Sequence, residues 1–145
     1  MPVADSCDRA PDVKILYPDM VNLYGCTLGA GVFVGPFVEI QKDVVVGAGS
    51  RVQSHTFICE GVRIGERVFV GHSVTFINDR HPVANNPDWK LEQTWVEDDV
   101  SIGSGSTIMC GIRLGKGCQI GCGAVVTQDV EPGALVMGVP ARPAR

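Results

Sequence analysis

The residues best suited to chemistry are concentrated in one stretch, VGHSVTFINDRHP, which runs from Val70 to Pro82. It contains the histidines His72 and His81 and the adjacent pair Asn78 and Asp79. Imidazole, amide and carboxylate groups can move protons, accept hydrogen bonds and orient a substrate. We therefore expect the functional site of the protein to include this stretch.

Two further candidates precede it, His55 and Glu60. Because imidazole has an ordinary pKa near neutrality, His55 and His72 are the candidates for a general base. Glu60 is a candidate to accept hydrogen bonds from substrate hydroxyl or amino groups, since an ionised carboxylate is an acceptor only.

The elements that must position these residues repeat every six residues. An apolar side chain occurs at every sixth position from Leu16 to Phe76, with Asn22 as the exception, and again from Val96 to Val126. A second, smaller position follows four residues after each of these, from Met20 to Val74 and from Val100 to Val130. We expect both positions to face a common core.

The glycines give an independent check on this period. Eight of the eighteen directly follow the apolar position, and eight more follow it by three residues. A glycine at a fixed phase indicates a turn that needs positive φ or has no room for a Cβ. Neither helical periodicity nor strand alternation explains a period of six, which is typical of a parallel β-helix. The sequence therefore predicts an all-β solenoid.

The 145 residues are expected to form a single β-helix domain, residues 1–145. Residues 1–15 lack the period and are predicted to be a lead-in or first cap, residues 16–78 and 96–131 the coils, and residues 132–145 a cap and tail. Residues 79–95 interrupt the period as an inserted loop that contains both tryptophans. A loop of this length in a compact repeat is usually functional, although it can also pack against a neighbouring subunit.

Composition excludes several classes of function. The net charge of -4 and the scattered basic residues give no surface for nucleic acid. No apolar run reaches the roughly 18 residues of a membrane span, and the N-terminus lacks the pattern of a secretion signal, so a cytoplasmic protein is expected. The six cysteines form no CxxC pair and are predicted to be small buried thiols, with no metal site.

The hexads, with their aliphatic, glycine and small positions, resemble those of the left-handed β-helix acyltransferases of the hexapeptide-repeat family. In that fold three hexads make one triangular coil, so residues eighteen apart stack along an edge. This implies that Asn78 lies one coil above Glu60 and that Ser54 lies below His72. If the insertion interrupts a single corner, Cys110 continues the edge of Asn78. The family usually forms homotrimers with sites between subunits.

Four segments narrow the resemblance: VQSHTFICEGVRIG, FVGHSVTFINDRHP, SIGSGSTIMCGIRLG and GVPAR. Together they resemble the hexapeptide N-acetyltransferases that modify nucleotide-linked amino sugars, especially 3-amino sugars. The resemblance implies acetyl-CoA as the acetyl donor, an amino-sugar nucleotide as the acceptor, and no metal.

The same resemblance assigns roles to residues. Asn78 would lie beside the amino group, with His55 or His72 as the base if one is used. Glu60, Asp79, His81 and Trp89 would hold the sugar.

For the donor, the resemblance implies contacts with Gly111 and Ala124, and Cys110 is a candidate to line the thioester channel. Four basic residues are available for the phosphates of CoA: Arg113, Lys116, Arg142 and Arg145.

Three alternatives remain open at the level of sequence. An O-acetyltransferase of the same fold would depend on a histidine base, because an alcohol needs more help than an amine. A metal hydratase similar to the γ-class carbonic anhydrases would need three histidines at spacings that His55, His72 and His81 do not match. A solenoid without catalytic activity could act as an assembly scaffold.

Overall fold

The computed structural model describes residues 2–144 and has the predicted all-β architecture, a parallel β-helix of about seven turns. A 3-10 turn spans Pro18–Met20. In chain order the strands are β1 (Asp8–Arg9), β2 (Lys14–Ile15), β3 (Asn22–Leu23), β4 (Thr27–Leu28), β5 (Phe33–Val34), β6 (Glu39–Ile40), β7 (Val45–Val46), β8 (Arg51–Val52), β9 (Phe57–Ile58), β10 (Val62–Ile64), β11 (Phe69–Val70), β12 (Thr75–Phe76), β13 (Thr94–Val96), β14 (Ser101–Ile102), β15 (Thr107–Ile108), β16 (Arg113–Leu114), β17 (Gln119–Ile120), β18 (Val125–Val126), β19 (Leu135–Met137) and β20 (Arg142–Pro143).

These strands form the three faces of the solenoid. Face 1 has the order β1-β4-β7-β10-β13-β16, face 2 the order β2-β5-β8-β11-β14-β17-β19-β20, and face 3 the order β3-β6-β9-β12-β15-β18. We call the turns from face 3 to face 1 the loop corner, those from face 2 to face 3 the histidine corner, and those from face 1 to face 2 the third corner. All strand pairs are parallel except β19 with β20, which form an antiparallel hairpin in the predicted cap.

The core consists of the two predicted positions of the hexad. From Cys26 onward every apolar residue of the first position and every small residue of the second is buried. Ser50, Thr56 and Ser106 are buried at the small position, where each hydroxyl donates to a backbone carbonyl of a neighbouring coil. A buried hydroxyl is tolerated because this hydrogen bond replaces the one lost from water.

The first coil does not follow the predicted phase. Leu16 and Met20 are 57% and 50% exposed, whereas Ile15, Val21 and Leu23 face the interior. The physical reason is a longer turn: eight positions separate Ile15 from Leu23, but only six separate their partners on the next coil. The 3-10 turn takes up the two extra residues. The expected placement of Leu16, Asn22 and Met20 in the repeat was therefore wrong.

Two boundaries also differ from expectation. Strands β1 and β2 lie within the segment expected to be a lead-in, so coiling begins before residue 16. At the insertion, Arg63 pairs with Val45 at a spacing of 18 and with Trp95 at a spacing of 32, so the loop adds 14 residues at one corner. Trp95 lies in strand β13 rather than in the loop, because this strand begins at Thr94, whose side chain is buried in the core.

Within residues 2–144, no helix has the length and apolar character needed to cross a membrane.

Candidate active site

Asn78 is the last residue of its coil before the inserted loop, and it is anchored to the coil below. Its Nδ2 donates a hydrogen bond to the backbone carbonyl of Glu60 at 3.1 Å. The predicted stacking of Glu60 and Asn78 is confirmed, and the register of β12 with β15 continues the edge to Cys110. Because this bond fixes the amide through one of its N–H groups, the amide oxygen of Asn78 is held in place as an acceptor for a substrate N–H.

Glu60 places a carboxylate on the same edge. Its side chain is 25% exposed, and Oε1 lies 3.7 Å from Nζ of Lys42 on the coil below. The Glu60 N–H donates to the side-chain oxygen of Gln41 at 3.1 Å, which fixes the backbone under Asn78. The loop corner therefore combines a held amide with a partly buried, ion-paired carboxylate.

The two ends of the inserted loop are tied together by Arg80 and Glu92. The Arg80 guanidinium lies 3.4 Å from both oxygens of Glu92, and its Nη2 also donates to the carbonyl of Cys110 at 2.6 Å. The Cys110 thiol donates to Glu92 at 3.4 Å. We call this set, Arg80, Glu92 and Cys110, the neck clamp.

The clamp has an electrostatic signature. Hydrogen bonds from Arg80, and then from Cys110, lower the pKa of Glu92. Burial, followed by the carboxylate of Glu92, raises the pKa of the Cys110 thiol. Both directions favour an ionised Glu92 beside a neutral thiol.

The other predicted sugar-binding residues lie on the loop. Oδ1 of Asp79 accepts the N–H of His81 at 3.1 Å, which forms a local turn at the loop entrance. His81 is exposed, and Trp89 is 40% exposed. The loop thus presents imidazole and indole surfaces beyond the clamp.

The two candidate bases lie at the histidine corner. Nδ1 of His72 lies 2.8 Å from Oγ of Ser54, as the stacking predicted. The backbone N–H of His72 donates a hydrogen bond to Oγ of Ser104. His55 has a positive φ of 62°, uncommon for a residue with a side chain, and its ring packs against that of Phe37 at a tilt of 34°, with centroids 4.9 Å apart.

The structure does not bring the predicted catalytic residues together within one chain. Asn78 belongs to the loop corner and His72 to the histidine corner, with strand β12 of face 3 between them. Six residues separate the two positions, or roughly 20 Å of extended backbone. An amine bound at Asn78 is therefore out of reach of His72 of the same chain.

The predicted donor contacts fall into two groups. Cys110 and Ala124 are fully buried, and the Ala124 N–H and carbonyl already bond to Gly121 and Thr107. Gly111 and Arg142 are exposed.

Among the cations suggested for the phosphates, Arg113 is already engaged. It lies 3.2 Å from Glu97 and 5.1 Å over the ring of Trp95. Arg145 lies outside the described residues.

Sequence reasoning missed the neck clamp and the aromatic partner of His55. Glu92 and Cys110 are eighteen residues apart, so the period of the coils predicts their contact once the end of the insertion is known. Nothing in the sequence signals the part played by Arg80, because the loop has no period. Within residues 2–144, no three His, Cys, Asp or Glu side chains are grouped to hold a metal.

Known proteins share this repeat. A family model described as bacterial transferase hexapeptide (six repeats) matches residues 25–60 and 93–128, on either side of the insertion. The bifunctional protein GlmU of Thermotoga maritima is 35% identical over 105 residues, which is 72% of this chain and 22% of that protein. The chain therefore spans about a fifth to a quarter of the length of the first curated relatives that it matches.

Solved structures share the fold. A hexapeptide-repeat acetyltransferase of Vibrio cholerae, complexed with acetyl coenzyme A, superposes with a TM-score of 0.75 at 29% identity, covering 83% of this chain and 70% of that one. A mutant perosamine N-acetyltransferase of Caulobacter crescentus, in complex with CoA and GDP-perosamine, superposes with a TM-score of 0.70 at 21% identity, covering 99% of this chain and 55% of that one. At this identity the similarity supports the fold alone. With its six-residue period, three parallel faces and two matched stretches, the chain belongs to the hexapeptide-repeat transferase family.

Proposed function

We propose that the protein is an acetyl-CoA-dependent N-acetyltransferase that acts on the amino group of a nucleotide-linked amino sugar. The observation that carries this proposal is the anchored amide of Asn78, which bonds to the coil below through its N–H and offers its oxygen beside the inserted loop. An amide oxygen can accept an N–H of a neutral amine and so orient the nitrogen lone pair toward the donor. The acetyltransferase of Vibrio cholerae that is complexed with acetyl-CoA supports the choice of donor.

The reaction needs positioning more than strong base catalysis. The neutral amine attacks the thioester carbonyl carbon, a C–N bond forms, the C–S bond breaks, and the amine proton leaves with the CoA thiolate to give the free thiol. Placing the nitrogen about 3 to 3.5 Å from the carbonyl carbon supplies several kcal/mol of the barrier reduction. In this proposal Glu60, Asp79, His81 and Trp89 bind the sugar.

We further propose that the complete site forms between chains of a homotrimer. The loop corner of one chain would meet the histidine corner of the next, which would supply His72 or His55 to relay the proton from the amine to the CoA thiolate. Face 3 joins these two corners in each chain, so closing the ring this way turns face 3 toward the threefold axis.

The donor would lie along the turns at the same interface. Gly111 and Arg142 are exposed and remain its proposed contacts. Cys110 and Ala124 would act through packing, since neither has exposed surface.

The test is thiol release from acetyl-CoA with a panel of amino-sugar nucleotides that includes GDP-perosamine and UDP- and dTDP-linked 3-amino hexoses. Asn78→Ala should lower kcat/KM for the best acceptor by about tenfold to a hundredfold, because an orienting hydrogen bond is lost. Gln128→Ala, an exposed amide further along the same corner, is the matched control. No thiol release with any acceptor, or an unchanged rate in Asn78→Ala, would contradict the proposal.

A second candidate function is O-acetyl transfer, which the 2.8 Å contact between His72 and Ser54 favours because it orients an imidazole. An alcohol needs a base, so His72→Ala should then abolish turnover of a hydroxyl acceptor. If His72→Ala keeps part of its activity with amino-sugar acceptors, and neither the variant nor the unmodified protein acetylates the corresponding hydroxy sugars, the result would decide for N-acetyl transfer.

A further inference from the structure

The inserted loop is fixed at its neck by contacts that the repeat itself does not need. Arg80, at the loop entrance, forms a fork over both oxygens of Glu92 at the exit and also reaches the carbonyl of Cys110 on the coil above. Asn78, two residues before Arg80, is bound to the coil below. The neck is therefore held from both sides, immediately beside the residue proposed to orient the amine.

The side chains of the neck pack directly against two glycines, Gly61 and Gly111. A Cβ added to Gly61 would lie 2.9 Å from a methyl carbon of Leu91, and one added to Gly111 would lie 2.8 Å from Oε1 of Glu92 and 3.1 Å from Nη2 of Arg80. Both glycines have positive φ. These near contacts are the ends of flexible side chains, so a methyl group at Gly111 would displace the clamp rather than break the coil.

The charges at the neck suit a positioning role. The carboxylate of Glu92 accepts hydrogen bonds from Arg80 and from the Cys110 thiol, so both of its oxygens are used within the neck. Bidentate contacts between guanidinium and carboxylate fix orientation as well as distance. A lysine in place of Arg80 would keep the charge but lack the fork that reaches Glu92 and the Cys110 carbonyl together.

We infer that Arg80 and Glu92 are positioning residues for the acceptor: by clamping the neck of the inserted loop onto Gly61 and Gly111, they set how the loop and Asn78 present the amino-sugar nucleotide. This inference rests on the proposed function. It assigns the Arg80–Glu92 pair to acceptor binding, because the loop side chains proposed to hold the sugar lie beyond this pair; the third member of the clamp, Cys110, borders the proposed donor site.

The experiment measures kcat and the two KM values of the intact protein with the panel member that it acetylates fastest. Arg80→Gln and Glu92→Gln should each raise the acceptor KM about tenfold or more, because the bidentate, charge-assisted contact that fixes the loop and its sugar-binding side chains would be lost. The KM for acetyl-CoA should stay unchanged. The double variant should be no worse than either single variant, and Arg80→Lys should recover part of the loss.

Matched controls separate positioning from general damage. Arg67→Gln breaks a comparable arginine–carboxylate pair, with Asp99 at the third corner. Gly117→Ala imposes the same backbone strain as Gly111→Ala, since φ is +69° and +72°, but Gly117 has nothing within 4 Å of the added methyl. Gly111→Ala should raise the acceptor KM, together with the KM for acetyl-CoA because Gly111 is also a proposed donor contact, and both controls should leave the acceptor KM unchanged.

The outcomes distinguish the two proposals. If the unmodified protein releases no thiol with any acceptor, the proposed function fails and the inference falls with it. If the protein is active but the acceptor KM of Arg80→Gln and Glu92→Gln matches that of Arg67→Gln, the clamp alone is overturned. An equal rise in the KM for acetyl-CoA in Arg80→Gln and Glu92→Gln would also overturn it, because the pair would then serve the whole site rather than the acceptor.

Discussion

Hydroxyl groups at the small position of the repeat connect neighbouring coils from inside the core. Oγ1 of Thr56 donates to the carbonyl of Gly71 at 2.8 Å and accepts the N–H of Val74 at 3.3 Å. Ser50 makes the equivalent pair of bonds with Gly65 and Val68. Each hydroxyl thus satisfies two backbone groups that the turn leaves without partners, so a polar atom in this core stabilises the fold.

Replacing Thr56 with valine should therefore destabilise the protein although it preserves shape. The carbonyl of Gly71 and the N–H of Val74 would lose their buried partner, at a cost of about 1 to 3 kcal/mol. The measurement is the midpoint of urea unfolding, with Thr27→Val on the exposed side of β4 as the control. Equal midpoints for the two variants would show that the buried hydroxyl contributes nothing.

At the scale of elements, regular coils were predictable and irregular segments were not. From Cys26 onward the phase of every coil could be read from sequence, because each inward position accepts only a narrow range of side-chain volumes. The first coil escaped prediction because its turn at Pro18–Met20 holds two extra residues. The stacking of Asn78 on Glu60 followed from the six-residue period. The contact of Arg80 with Glu92 could not be predicted in this way, because it lies within a loop that has no period.

The ion pair at the loop neck should make loop structure dependent on pH. Arg80 lowers the pKa of Glu92, so the pair contributes fully above the ordinary glutamate pKa of about 4.3 and is lost as pH falls through the lowered value. Trp89 reports on the loop when Trp95 is replaced by phenylalanine. Its emission should shift to longer wavelength below about pH 4, and Arg80→Gln should show the shifted emission already at neutral pH. Identical pH curves with and without Arg80 would contradict this coupling.

At the scale of the whole molecule, the two halves of the candidate site lie at opposite ends of one face. A closed ring of three chains can join a loop corner to a histidine corner at each interface, which gives three equivalent sites. In that arrangement the outward side chains of face 3 approach one another around the axis, while those of face 2 remain on the outside. The proposed assembly therefore makes the two faces differ in their tolerance of charge.

Thr75 and Ser101 allow this difference to be measured, because both are small, exposed hydroxyl residues in the first position of a two-residue strand, on face 3 and face 2 respectively. Thr75→Arg would bring three like charges together near the axis, where they are removed from water without a partner, so the trimer should dissociate. Sedimentation equilibrium should then give the mass of one 15.4 kDa chain, whereas the unmodified protein and Ser101→Arg should each give the mass of three. Acetyl transfer should be lost together with the trimer, since Asn78 and the histidines come from different chains in the proposed site. A trimer that persists in Thr75→Arg would contradict the orientation of face 3, and a monomeric unmodified protein with full activity would contradict the site between chains.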